Sequence, residues 1–327
     1  MPRPERRRIA KSWLLEQLAI IDRDQVSQQR ILRIENRLRD RITSHIDALP
    51  IETAEFAKFN TSPFVLMVYC HQKRYRFVDE IERDILPAKL FSSMETSAGR
   101  MIQEVVLPVY GWEGVPSSMH SSGSVIDGRK QEGDSLKLVT IKSGPRCLND
   151  EMSKDIADDI VAHAEHWADK AGVDRIDFTY AVLYGTPKQS NKKDWHVLRN
   201  IVEIKGPKFI IDPPIRKWNC SFRHRGARID VSVRIGTDWW TLLGGEHALS
   251  ELLIALIRAC VIPAGVREDQ PSYVIRDLGS IVSTDCVPAE FNVSILQRSQ
   301  LEWLFFLARH FCDELSDGTS YPFARQI

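Results

Sequence analysis

Residues 121–166 read SSGSVIDGRKQEGDSLKLVTIKSGPRCLNDEMSKDIADDIVAHAEH. A short apolar segment, Ser124 to Asp127, ends on an acid. Glu132-Gly133-Asp134 carries turn chemistry, because Gly and Asp tolerate the backbone angles a tight reversal needs. Leu136 to Ile141 then reads as a second strand. It stops on Lys142 and is broken by Ser143-Gly144-Pro145. Asn149 or Asp150 can cap the helix that follows, whose apolar stripe is Met152, Ile156, Ile160, Ala164 and Trp167. Gly172 ends that helix. On a strand, residues two apart share a face, so Thr140 and Lys142 point one way and Val139 and Ile141 the other. A hairpin closed by the turn lays Asp127 beside Thr140 and Lys142, whereas Asp134 stays in the turn itself.

Outward from this hairpin, the spacing of Ile31, Ile34, Leu38, Ile42 and Leu49 predicts helix across residues 9–49, closed by Pro50. Short apolar or helical segments follow at 64–69, 80–86 and 97–107, with a loop over 111–122. Beyond the central helix, 178–184 reads as a strand and 195–201 as a short helix. In 229–235, Ile229, Val231, Val233 and Ile235 alternate with Asp230, Ser232 and Arg234, the pattern of a strand with one apolar and one polar face. Apolar helices are expected at 249–260 and 301–315. This order implies an α/β fold, a mixed central β-sheet flanked by helices, with an N-terminal helical arm. Its regions are a helical segment 1–60 for dimerisation or DNA clamping, a core 61–265, and a helical extension 266–327 packed on the core.

With 327 residues, 43% of them apolar, the chain can bury a sizeable core. No apolar run reaches the roughly 18–20 residues of a membrane span. The basic start, MPRPERRRIAKSW, lacks the apolar centre of a signal peptide. The six cysteines form no CxxC pair, which suggests neither zinc ligation nor a disulfide framework and fits reduced thiols in a cytoplasm. Forty-four basic residues balance forty-four acidic ones. Charge is nonetheless segregated, with cations dense from Arg216 to Arg234 and acids at 150–159. A neutral chain with basic arms and an acidic pocket suits a metal-using enzyme acting on a polyanion, although single clusters can equally be solvated faces.

The chemistry centres on Asp127 and Lys142. A carboxylate beside a strand end can hold Mg²⁺ together with a main-chain oxygen, that of Ile141, and waters. The lysine can orient an attacking water and offset phosphate charge, which supports metal-assisted hydrolysis of a phosphodiester. One carboxylate is a thin ligand set, so a second acid is sought from the flanking helices. Asp155 and Glu104 are the candidates, ahead of Glu151 and Asp159, and Glu104 can instead be a partly exposed helix residue. Arg146 can make two parallel hydrogen bonds to guanine. Asn149 and Asp150 can read bases or merely cap the helix. Arg223, Arg225 and Arg228 belong either to a solvated hairpin or to a phosphate-gripping loop. His163 and His166 read as ordinary surface or partly buried histidines, and Trp239-Trp240 as core.

Asp127 followed by Thr140-Ile141-Lys142 resembles the metal-binding hairpin of PD-(D/E)XK nucleases, type II restriction endonucleases above all. Where that pattern has Asp or Glu, this chain has Thr140. In this it resembles the clade reading CCGG or CC(N)GG, which places a small hydroxyl residue there and takes its acid from the next helix. Asp155 falls at that place, as Asp rather than the usual Glu. Arg146, four residues past the lysine, matches that clade's guanine-reading arginine. Ile141 to Pro145, with Leu148-Asn149 behind, is also similar to enzymes reading GGNCC. The likeness covers residues 97–184 and, more faintly, 235–240 with Gly244-Gly245. It implies a Mg²⁺-dependent endonuclease, a homodimer cutting double-stranded DNA at a short G·C-rich palindrome, with no organic cofactor and no membrane. A repair or junction nuclease, or a non-catalytic DNA-binding protein, remains the alternative.

Overall fold

The structure, a computed structural model, describes residues 1, 3–47, 67–68, 71–74, 99–115, 126–212, 214–261 and 276–317. Most of the segment expected at 64–69 and all of that at 80–86 lie outside the described residues, as do Ser124 and Val125. The elements run β1 (Arg8–Ala10), α1 (Lys11–Ile21), α2 (Gln25–Asp47), a helical run over 99–106, β2 (Glu113–Gly114), β3 (Gly128–Glu132), β4 (Ser135–Lys142), α3 (Asp150–Ala171), β5 (Arg175–Val182), α4 (Lys193–Lys205), β6 (Asn219–His224), β7 (Ala227–Ile235), α5 (Thr237–Gly244), α6 (Ala248–Cys260), α7 (Leu278–Val282), α8 (Leu301–Ala308) and β8 (Glu314–Ser316). The helical N-terminal stretch is thus two helices broken at 22–24, preceded by a short strand. The helix expected at 301–315 ends at Ala308, and Glu314–Ser316 instead pairs in parallel with Arg8–Ala10.

The expected mixed α/β architecture is present. Six strands lie in the order β2-β3-β4-β5-β7-β6. β2/β3, β3/β4 and β6/β7 are antiparallel, while β4/β5 and β5/β7 are parallel. The β3–β4 ladder closes through Gly133, whose φ of +57° requires glycine's freedom. α3 supplies the crossover from β4 to the parallel β5. Its start is set by Asn149, whose Oδ1 accepts from Met152 N at 2.8 Å.

The two faces of the sheet are covered differently. Leu136, Leu138, Phe178, Tyr180, Ile229 and Val231 pack beneath α3 and α4. On the other face only Val139, Ile141, Ala181 and Leu183 reach the second apolar cluster, which joins α1, α2, α5, α6 and α8. Trp239 and Trp240 are core residues there, and Trp240 Nε1 donates to Leu183 O at 2.8 Å. Among the described residues no single helix is long and apolar enough to cross a membrane.

Within the second cluster, Glu251 of α6 is fully buried. It accepts from Ser27 Oγ at 2.6 Å, from the Tyr110 hydroxyl at 2.5 Å and from Arg30 Nη1 at 3.4 Å. One carboxylate thereby fastens α2 and the turn at 107–110 to α6. Burial, reinforced by this carboxylate, pushes the Tyr110 hydroxyl pKa far up.

The segments leaving β4, β5 and β7 meet closely. A Cβ on Gly236 would lie 2.2 Å from Gly185 O, and one on Gly185 would lie 2.6 Å from Pro145 Cγ. Gly236 also holds φ +57° and ψ −118°, a region side chains avoid.

Two outcomes follow for equilibrium denaturation. Glu251→Ala removes the buried acceptor shared by Ser27, Tyr110 and Arg30 and should cost about 3 kcal/mol. Gly236→Ala should cost roughly 2 kcal/mol or more, through strain and the clash with Gly185.

Candidate active site

Asp127 stands where the β3–β4 ladder gives out. Its N–H donates to Val139 O at 2.8 Å, and its C=O accepts from Val115 N at 3.0 Å on the β2 side. The next outward-facing amide of β4, that of Ile141, is not met by a strand. Asp127 Oδ2 takes it instead, at 2.6 Å, with Thr140 Oγ1 at 3.5 Å from the same oxygen. Burial raises the Asp127 pKa, and the Ile141 N–H, the Lys142 charge and the Thr140 hydroxyl each pull it back down.

A strand residue's N–H and C=O point to the same side of the chain. The Ile141 carbonyl therefore opens toward the same edge as the Asp127 carboxylate. There it accepts from Gln103 Nε2, on the helical run 99–106, at 3.3 Å. Lys142 lies on the face shared with Thr140, half-buried, beneath the first turns of α3. Its charge acts on Asp159 as well as on Asp127. Asp159 is half-buried, and its pKa is raised by that burial, while His163 and Lys142 pull it down and Asp155 and Asp158 push it up. The site thus draws Asp127 from the start of β3, Ile141 O and Lys142 from the end of β4, Gln103 from the preceding helix and Asp159 from α3.

The other expected residues lie as follows. Asp155 is exposed, one helical turn before Asp159. Glu104 pairs with Arg41 of α2 at 2.9 Å and with Arg100, one turn back on its own helix, at 3.0 Å, so its charge is matched there. Asn149 is the cap of α3. Asp150 pairs with Lys193, with His196 Nδ1 at 3.6 Å, and the Lys193 bond holds its carboxyl below the usual range. Arg146 is exposed just past the strand end, its Nε donating to Gln189 O at 3.1 Å.

Arg223, Arg225 and Arg228 are elsewhere. The register aligns Arg228 with Arg175 and Ser135, and Ile235 with Val182 and Lys142. The β6–β7 turn therefore sits at the opposite end of the sheet from Lys142, roughly 23 Å away at about 3.3 Å per residue. Arg225 pairs there with Asp169 at 3.1 Å, and Arg228 Nε with Asp230 at 2.9 Å. A loop gripping phosphates beside Lys142 cannot be built from these three.

Asp159 and Gln103 escape a reading by motif. Asp159 shares a helix flank with Asp155 and His163, each four residues away, and which turn of that flank reaches the strand end, rather than a fixed offset from Lys142, decides which acid meets the sheet. Gln103 carries no charge and draws no notice beside Glu104.

The donors gathered here are oxygens: a half-buried carboxylate, a strand carbonyl that pairs with no strand, and a helix carboxylate. They suit a hard cation that keeps several waters and shares a substrate phosphate. Among the described residues no group of three His, Cys, Asp or Glu side chains forms a ready-made cage. No protein-family model matches the chain, and no curated protein matches it significantly.

Proposed function

We propose that the chain is a Mg²⁺-dependent endonuclease of double-stranded DNA with a PD-(D/E)XK-type core, of the type II restriction kind, reading a short G·C-rich palindrome. The observation that carries this reading is the Asp127–Ile141 junction. An acid enters before one strand, a lysine ends the next, and the bond between Asp127 Oδ2 and Ile141 N leaves the Ile141 carbonyl facing the same edge. The sheet order around it supports the reading, since β3 and β4 form the antiparallel hairpin and α3 crosses to the parallel β5.

Asp127, the Ile141 carbonyl and a carboxylate of α3, Asp159 or Asp155, are the residues that hold the cation. When bound, it polarises the scissile phosphate and offsets its charge. Lys142 orients the attacking water and stabilises the developing anion. Arg146 is anchored through Nε, which leaves its two terminal nitrogens to reach a guanine in the major groove. A palindrome cut on both strands calls for a two-fold dimer, so two such chains act together.

The assay is plasmid digestion with Mg²⁺, read as discrete fragments. Lys142→Ala should lower cleavage by 10²-fold or more, on the order expected when a group acting in the transition state is removed, while leaving DNA binding in Ca²⁺ intact. Asp127→Asn should also abolish cleavage without loss of stability. Its raised pKa means that the ionised side chain is disfavoured by folding at neutral pH, and Asn keeps the acceptor for Ile141 N–H. A parallel fall in melting temperature would assign Asp127 a structural role instead. Smeared, structure-dependent products would favour a repair or junction nuclease.

A further inference from the structure

The polar face of β5 and β7 floors an open trough of about 510 Å³, lined also by Trp112, Leu242, Ile211 and Arg216. The odd-numbered residues of β5 and the even-numbered residues of β7 point into it, on the face opposite Lys142 and α3. The trough is therefore separate from the candidate active site.

Most charges in it cancel in place. Arg175 pairs with Asp177 at 2.9 Å and with Asp230 at 3.3 Å, and Arg228 with Asp230 at 2.9 Å. Lys137 pairs with Glu132 at 2.5 Å. Arg234 and Arg216 are different: among the described residues neither guanidinium has an ion-pair or hydrogen-bond partner. Five cations and three acids line the trough, an excess of two positive charges. Three of its lining side chains also keep a buried polar atom without a partner, the donors Trp112 Nε1 and Arg234 Nε and the acceptor Asn219 Oδ1. Such groups are costly to leave unmatched, on the order of 1–3 kcal/mol each.

An unpaired guanidinium calls for an anion, the orphaned acceptor calls for a hydroxyl or amine, and Trp112 and Leu242 offer apolar surface. The volume falls within the range of small-molecule sites and is far too small for a duplex. We propose that this trough binds a small phosphate ester of nucleotide size. Its phosphate sits on Arg234 with Arg216 at the rim, its sugar hydroxyls face Asn219, and its flat part lies toward Trp112.

The test is titration calorimetry of the full chain with a nucleoside monophosphate, the matching nucleoside and inorganic phosphate. The nucleoside monophosphate should bind more tightly than either fragment. Arg234→Gln should weaken it by roughly tenfold or more, as for loss of one charged anchor. Arg216→Ala, at an exposed position that folding tolerates, should weaken it less, and Lys142→Ala should leave it unchanged. Absence of binding by the wild type, equal affinity for inorganic phosphate, indifference to both arginine substitutions, or loss on Lys142→Ala would each overturn the assignment. Because the readout is binding, failure of DNA cleavage leaves it untouched.

Discussion

The bond from the Asp127 carboxylate to the Ile141 amide governs the centre of this molecule. Two strands run together as far as Val139 and then part, and a side chain takes over where a backbone partner is missing. That substitution does two things at once. It satisfies an amide that would otherwise be stranded at the ladder's end. It also fixes an acid near a lysine and a strand carbonyl that no strand claims and that only the Gln103 amide touches. The environment is divided in the same way, since burial disfavours the charge of Asp127 while the amide, the lysine and the Thr140 hydroxyl favour it. A carboxylate held in such tension gains from any cation that joins it.

The sheet gives each of its faces a different task. Beneath α3 and α4 it is apolar up to Thr140 and Lys142, and this packing holds α3 so that Asp159 lies over the end of β4. On the far face the apolar patch is confined to the carboxyl ends of β4 and β5. The remaining rows carry Asp177, Thr179, Asp230, Ser232 and Arg234 and make the floor of the trough. The same parallel strands thus present catalytic candidates at one end of one face and a polar basin on the other.

Much of the centre was legible in the chain. The alternation of 136–142 placed Thr140 and Lys142 together, the Gly133 turn defined the hairpin, and the Asn149 and Gly172 signals bounded α3 closely. The alternation of 229–235 correctly divided β7 into an apolar and a polar face. What escaped depended on neighbours distant in sequence. The density of arginines from 216 to 234 carries no information about which end of the sheet they occupy. That follows from β7 lying parallel to β5, a matter of sheet order. Whether Asp155 or Asp159 meets the lysine depends on how far along its axis α3 has travelled where it crosses the end of β4, a placement by one helical turn that apolar periodicity leaves loose. The strand at Glu314–Ser316 follows the apolar helix after a single turn at Arg309–Phe311, and its partner at Arg8–Ala10 is distant in sequence.

That last pairing bears on how the chain reaches its native form. Arg8–Ala10 lies in register with Glu314–Ser316, and Arg7 N donates to Asp313 Oδ2 at 2.8 Å across 306 positions. Closing so long a loop is slow and entropically costly, so this clasp forms after the contacts within the sheet. During synthesis Arg8–Ala10 must wait for this pairing until Ser316 has emerged. The layer of helices behind Ile141 is consequently completed late, and a polypeptide interrupted before residue 314 would lack this clasp on the face of the sheet opposite Lys142.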